Sequence, residues 1–452
     1  MRNFPLNPVD GATVQEFNRA MNSPQTVVSR RHFLKSSGAV AAALSLPAWY
    51  LEELRSYAAP AKPLSPNEKP NIALIGCGGM GRGDAGAAKN FGNLVAVCDV
   101  DQNHVDRAAK DFNVPDSGKY RDFRKLLERD DIHAVINGTP DHWHTLINIG
   151  AVKAGKDVYT EKPLTLTVDE GKRLVRAVRE NKRVLQVGSQ QRSDARFRLA
   201  CELVRNGRIG KLQYMWVGLP TGPREGPFAE KPVPPNLDWN YWQGQAPSVP
   251  YVPQRCHGNF RWWYDYSGGQ MTDWGAHHND IAQWGNGTER SGPISVDGKP
   301  LKEMIPGGYD AACDYVVHFK YANGVQMIVT NQAPNGVRFE GTDGWIFIDR
   351  GQFQASKEGL LEEPLPASAT RLYKSGHHMG NFIECMRTRK DPICDVEIGH
   401  RSISVAHIGV ISVRLGRPLK WDPAKEEFVG DREANKWLAR EMRKPYDYSY
   451  VA

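Results

Sequence analysis

Apolar positions along the chain fall into two alternating patterns. Short runs at Ile72 to Ile75, Leu94 to Cys98, Ile132 to Ile136, Asp157 to Thr160 and Val184 to Val187 have the length of strands buried on both faces. Between them, apolar residues return at helical spacing: Arg82 to Lys89, Asp101 to Phe112, a short piece at Phe123 to Leu127, Asp141 to Ala154, and Thr167 to Glu180. In the second of these, Val105, Ala108, Ala109 and Phe112 share one face. Strand followed by helix, repeated, predicts an α/β domain with a doubly wound parallel sheet. Such sheets take ligands at the carboxyl ends of their strands.

Beyond residue 193 the pattern changes. Ala195 to Asn206 reads as a connecting helix and Lys211 to Val217 as a strand. Strands follow at Tyr315 to Phe319, Val325 to Thr330 and Trp345 to Ile348, with a hairpin turn at Tyr321-Ala322-Asn323-Gly324. His377 to Arg387 and Glu397 to Leu415 read as helices that pack back on the first domain, the second ended by Gly416. Pro220 to Gln254 holds nine prolines with Trp239 and Trp242 and little periodicity, which predicts a long functional loop, a lid or a surface insert. The charged tail, with Trp421, Phe428 and Trp437 as anchors, is expected on the surface or at a subunit contact. The expected division is 1–61, 70–192, 193–418 and 419–452.

At 452 residues the chain is too long for one ordinary domain. Its net charge of +7 is spread without a basic block, which argues against a nucleic-acid partner. No apolar run is long enough for a stable membrane span. Seven cysteines include no C-x-x-C pair, so neither a disulfide framework nor a zinc site is expected, and Cys77 and Cys98 read as packing residues. Ser29-Arg30-Arg31-His32-Phe33-Leu34-Lys35, followed by a modest apolar run to Trp49, is a twin-arginine export signal. An amphipathic leader helix is the plainer reading. Ala59-Pro60-Ala61 offers an A-x-A cleavage pattern, and the proline-rich segment to Pro70 reads as a linker. Export implies a periplasmic location and the export machinery as a partner. Substrates of this route are exported already folded, so any cofactor the protein needs can be loaded beforehand and should then be held tightly, or recycled within one turnover.

The candidate chemistry begins after the first strand. Gly76-Cys77-Gly78-Gly79-Met80-Gly81 fits G-x-G-x-x-G, opens a helix, and is followed 18 residues after Gly81 by Asp99 at the end of the next strand. Gly76 permits the tight turn, Gly78 lets backbone approach a pyrophosphate, and Gly81 lets helix meet strand. Asp99 suits a ribose 2′-hydroxyl and so favours NAD, with NADP left open. Thr139-Pro140, Glu161-Lys162-Pro163 and Gln190-Gln191 fall at later strand ends and should converge on the nicotinamide half, with His144 on that side. In the second half, the aromatic run Asn259 to Gly269 precedes Asp273-Trp274-Gly275-Ala276-His277-His278-Asn279-Asp280. Aromatic faces beside polar donors suit a sugar ring. Arg192, Arg261, Trp262 and His278 are the expected substrate contacts. Asp273 and His277, four apart, share a helical face, so the carboxylate can support the imidazole as a general base. The plainer readings are a capping aspartate and a buried histidine. His277-His278-x-Asp280 lacks a placed third ligand, and no metal is expected. His377-His378 is expected to be structural.

The glycine fingerprint, TPDHWH, the EKP after the fifth strand and IGKL at 209–212 resemble the Gfo/Idh/MocA oxidoreductases across roughly residues 70–415. The resemblance implies a C-terminal α+β domain on an open, mostly antiparallel sheet, a homo-oligomer (dimer or tetramer), and a substrate between the domains. It assigns catalysis to Lys162, Asp273 and His277, and cofactor binding to Gly76, Gly78, Gly79, Met80, Gly81, Asp99, Thr139, Pro140, His144, Glu161, Lys162 and Gln190. The expected activity is hydride transfer between a sugar, polyol or glycoside hydroxyl and NAD(P). A redox-neutral glycosidase or lyase using transient oxidation is the alternative, and a sugar-binding protein with a vestigial site the third reading.

Overall fold

The computed structural model describes residues 46–56, 69–357 and 359–451; the twin-arginine motif and Ala59-Pro60-Ala61 lie outside them. A first sheet is built from β1 (Asn71–Ile75), β2 (Asn93–Cys98), β3 (Lys119–Tyr120), β4 (Ala134–Asn137), β5 (Asp157–Thr160) and β6 (Leu185–Val187). It is wholly parallel, in the order β3-β2-β1-β4-β5-β6. The central strands are apolar on both faces because helices cover both: β1 is buried from Ile72 to Ile75 and β4 throughout. Strand order reverses between β1 and β4. The loops leaving their carboxyl ends, 76–78 and 138–140, therefore open a crevice at that switch point.

Helices α2 (Gly79–Ala88), α3 (Gln102–Phe112), α4 (Phe123–Leu127), α5 (Asp141–Lys153) and α6 (Val168–Glu180) lie between these strands, and α7 (Ala195–Arg205) leads out. A preceding nine-residue helix, α1 (Ala48–Ser56), packs on the body of the protein. This corrects the expectation that everything before residue 62 is signal and linker. Leu46, Tyr50 and Leu51 are buried, Arg198 stacks over the Tyr50 ring at 5.2 Å, Trp49 Nε1 donates to the Leu361 carbonyl at 3.0 Å, and Glu53 pairs with Arg371 at 3.2 Å.

The second sheet has nine strands in the order β13-β12-β11-β7-β10-β9-β8-β14-β15. They are β7 (Leu212–Gly218), β8 (Ser295–Pro300), β9 (Tyr315–Lys320), β10 (Gln326–Thr330), β11 (Gly336–Gly341), β12 (Trp345–Ile348), β13 (Phe353–Ala355), β14 (Leu419–Asp422) and β15 (Glu427–Phe428). All neighbours are antiparallel except β7 and β10. Between β7 and β8 come α8 (Trp239–Gln243), α9 (Gln270–Asp273) and α10 (Gly275–Asn286); after β13 come α11 (His378–Thr388) and α12 (Val396–Leu415). Helix α12 is buried nearly all round because it is wedged between the sheets, against α6 and β6 on one side and α10 and β8 on the other.

Two expectations are revised. The tail is not a surface appendage: β14 extends the sheet beside β8, Trp421 and Phe428 are buried, and Tyr446 packs on Trp143 and stacks on Tyr241 of the other half at 5.7 Å each. The proline-rich excursion is a strap rather than a free loop. Its apolar rings, Trp239, Trp242, Tyr251, Phe260, Trp263 and Tyr266, form a small core of their own. It is also tied to the nucleotide domain: the Gln102 N–H donates to the Asn236 carbonyl (2.9 Å), the Asp238 N–H to the Val100 carbonyl (3.1 Å), and the Tyr241 hydroxyl to Asp122 (3.0 Å).

Candidate active site

The glycine loop forms through mutual close approach. Gly76 holds φ +86, and a Cβ there would meet the Gly138 carbonyl carbon at 2.5 Å. A Cβ on Gly81 would fall 2.0 Å from the Gly76 oxygen, so only glycine lets α2 start this close to β1. Gly78, by contrast, faces open space. Its backbone caps α2 without a side chain, which leaves the helix N–H groups for an anion. The crevice is open to solvent and runs from the glycine loop past Asp99 and Thr139 to Lys162 and Arg261. Gly76, Gly78, Gly79, Met80, Asp99, Thr139, Pro140, Glu161, Lys162 and Arg261 all line it. Asp99 is fixed from two sides, accepting from the Cys77 N–H at 2.7 Å and the Asp101 N–H at 2.9 Å. The residues present thus fit a nicotinamide dinucleotide: an open backbone cradle for the diphosphate and a held carboxylate for the ribose.

At the other end of the crevice the two halves of the protein meet through charge. Lys162, just past β5, donates from Nζ to Asp273 Oδ1 of α9 at 2.5 Å, and Arg261 Nε reaches the same oxygen at 3.2 Å. The Lys162 and Asp273 side chains are only 8% and 13% exposed. Burial alone would raise the Asp273 carboxyl, but the two cations outweigh it and hold it below the usual carboxylate range. Asp141, at the first turn of α5, lines the same space. Burial pushes it up to about 7, against the Ser267 hydroxyl that donates to it at 2.5 Å and the nearby Arg261.

The expected support of His277 by Asp273 is corrected: Asp273 serves Lys162 and Arg261 instead. The backbone stays helical through Trp274, between α9 and α10, but the two cations claim the carboxylate. His277 is buried and does not line the crevice, and its Nδ1 has no hydrogen-bond partner among the described residues. Burial, then the Lys162 and Arg350 charges, push its pKa well below the normal value, so the ring is neutral.

Five other assignments are also corrected by position. His144 lies beneath the crevice wall, with Nδ1 2.6 Å from the Pro163 carbonyl and Nε2 2.8 Å from that of Thr139; it ties two lining segments together. Gln190 donates to Glu161 at 3.0 Å and sits behind it. Arg192 is buried in a two-pronged pair with Asp280, 2.7 Å on each arm, and stacks over Trp284. His278 is paired with Asn335 at 3.0 Å. Trp262 gives its carbonyl to the Asp310 and Ala311 N–H groups and does not line the crevice. His277-His278-x-Asp280 is therefore not a converging ligand set, since Asp280 turns to Arg192 and Ser402.

Sequence reasoning missed Asp84, and it missed Gly138, Asp141, Tyr241, Trp242 and His257, which wall the crevice beside Phe260 of the aromatic run. Asp84 is raised by burial and then by Glu161, while burial raises Glu161 as well, so this pair favours sharing a proton. The G-T-P after β4 and the acidic start of DHWH were visible signals; Tyr241 and His257 carry no local one.

Comparison with known proteins agrees with this architecture. Residues 70–189 match the NAD-binding Rossmann-fold domain of the Gfo/Idh/MocA oxidoreductase family, and 208–448 its C-terminal alpha/beta domain. Residues 27–47 match the twin-arginine translocation pathway signal sequence. The chain is 27% identical over 369 residues to scyllo-inositol 2-dehydrogenase (NAD(+)) of Bacillus subtilis, covering 78% of this chain and 97% of that protein. It is 31% identical over 204 residues to an alpha-N-acetylgalactosaminidase of Shewanella oneidensis, covering 41% of this chain and 44% of that protein. The WlbA dehydrogenase from Chromobacterium violaceum, solved with NADH and UDP-GlcNAcA, superposes with TM-score 0.60 at 20% identity, over 80% of this chain and 99% of that one. The chain belongs to the Gfo/Idh/MocA family: it is an NAD-binding oxidoreductase that carries a signal for export by the twin-arginine pathway.

Proposed function

We propose that the enzyme oxidises a secondary hydroxyl of a sugar, polyol or glycoside. The observation that carries this is the 2.5 Å Lys162–Asp273 pair, contributed by opposite halves of the chain and set in the dinucleotide crevice. NAD held on the glycine loop supplies the hydride acceptor. Asp273 keeps the Lys162 ammonium in place, and a proton left on Nζ can point at the substrate oxygen. There it stabilises the negative charge that develops as C–H is lost. Arg261 adds a second positive charge beside the same carboxylate. His277, neutral and buried behind the crevice lining, is the proposed final acceptor of the hydroxyl proton, passed to it by way of Lys162. Lys162 is the strongest charge it feels, which favours release of that proton once chemistry is over. The excursion through Trp242, Phe260 and Arg261 supplies a further wall of the crevice.

The second reading, a glycosidase that oxidises and re-reduces the sugar within one turnover, is favoured by the alpha-N-acetylgalactosaminidase relative. The test is to present the purified enzyme with a panel of polyols, sugars and aryl glycosides while following NADH and aglycone. NADH or ketosugar in proportion to enzyme turnover supports the dehydrogenase. Aglycone release without lasting NADH supports the second reading. Neither signal on any compound refutes both.

A further inference from the structure

We propose that Asp101, His104 and His257 form a zinc-class divalent cation site that fastens the strap to the nucleotide domain over the adenosine end of the crevice. The three residues come from two halves of the chain. Asp101 caps α3 and His104 lies in its first turn, while His257 opens the helical turn His257–Trp262 of the strap. One ligand atom from each lies within 4.8 Å of the others. Asp101 Oδ2 and His257 Nε2 are 3.3 Å apart. Two ligand atoms each about 2 Å from a tetrahedral ion are separated by about 3.3 Å, so this edge already has the required length. Only His104 needs to swing inward.

The surroundings are those of a metal site. Asp101 Oδ1 is committed to the Asn103 N–H at 2.9 Å and to Asn236 Nδ2 at 2.7 Å, which fixes the carboxylate and turns Oδ2 to His257. His104 Nδ1 lies 3.4 Å from Asp99 Oδ2. A carboxylate on one ring nitrogen orients a metal-binding histidine and leaves the other nitrogen for the ion. The two imidazoles sit 4.6 Å apart, centre to centre. His257 holds φ +49, a conformation that is strained for a non-glycine residue, and in it the ring faces Asp101. Two imidazoles and one carboxylate suit zinc, leaving a fourth position for water. All three residues adjoin the crevice or line it beside Asp99. An ion there would turn the strap's hydrogen-bonded crossing at Val100 and Gln102 into a coordinated clasp, and the dinucleotide could leave only when a ligand let go.

The test uses the full exported chain, stripped with a chelator and titrated with Zn²⁺ alone in a calorimeter, then with Co²⁺ to read ligand geometry from its visible absorption. The expected result is one ion per chain, with His104→Ala and His257→Ala each weakening binding by about 100-fold or more. His257→Gln, milder for the strap backbone, should do the same. Zn²⁺ should also slow loss of bound NAD on dilution in the unaltered protein and not in His257→Gln. The proposal is overturned if the stripped chain binds no Zn²⁺. It is equally overturned if the folded variants, checked by circular dichroism, bind as tightly as the parent.

Discussion

Asp141 offers a quantitative check on the electrostatics of the crevice. Its carboxyl is 4% exposed, and burial lifts it from 3.8 to about 7 despite Ser267, Arg261 and Lys162. A carboxyl raised in the folded state keeps its proton between about pH 4 and 7, where the unfolded chain has lost it. Stability is then greatest below the unfolded value and falls as pH rises through the folded one. A shift of roughly three units corresponds to about 4 kcal/mol once both states are ionised. By pH 5 about 1.7 kcal/mol of that loss has appeared, and by pH 8.5 nearly all of it. Asp141→Asn keeps the shape, and its amide oxygen can still accept from Ser267 at the 2.5 Å contact. The variant should therefore gain about 2.5 kcal/mol over the parent between pH 5 and pH 8.5. With about 2 cal/mol/K of unfolding entropy per residue, that is a relative rise of ~3 °C in Tm. Other buried acids such as Glu170, also raised to about 7 by burial, titrate in both proteins and cancel. Thermal melts of the two proteins at the two pH values read the difference directly. A Tm gap that is the same at both pH values would show that Asp141 is not protonated in the folded state, and the reasoning fails.

Three further outcomes are expected. Lys162→Ala should lower kcat by about 10²–10⁴ while cofactor, measured by mass spectrometry of the purified protein, stays bound; unchanged turnover would remove Lys162 from the chemistry. Gly81→Ala places a methyl 2.0 Å from the Gly76 oxygen, so the protein should purify without dinucleotide, and normal cofactor content would contradict the loop geometry. Because Leu46, Tyr50 and Leu51 are buried in the body, the exported chain should retain residues 46–56, with Tyr50→Ala costing about 3 kcal/mol in a denaturant melt. N-terminal sequencing that starts at Lys62 would disprove the first part.

What could be read from the sequence, and what could not, divides along a physical line. The five longer parallel strands, the covering helices and the glycine loop were legible because each is fixed locally, by unbroken apolar runs or by a glycine where no side chain fits. The edge strand β3, two residues long, and β8, whose Ser-Val-Asp-Gly-Lys-Pro alternates and ends in turn formers, fell below that signal. Helix α1 was hidden because its tyrosine, tryptophan and leucine look like the end of an export segment until Arg198 and Leu361 are brought to them. The site shows the limit most clearly. Spacing places Asp273 and His277 on one helical face, but spacing does not say which charge arrives from elsewhere. The carboxylate goes to whichever cation is nearest, and the sheet topology delivers Lys162 from the end of β5 and Arg261 from the strap. For the same reason Arg192, read as a substrate contact, is spent on Asp280 in a dry interior where an unpaired guanidinium could not remain. Side chains whose roles depend on backbone geometry were assignable from the chain alone; those whose roles depend on a partner a hundred residues away were not. His104 and His257 are the extreme case, since neither belongs to a motif and only the crossing of the strap sets them side by side.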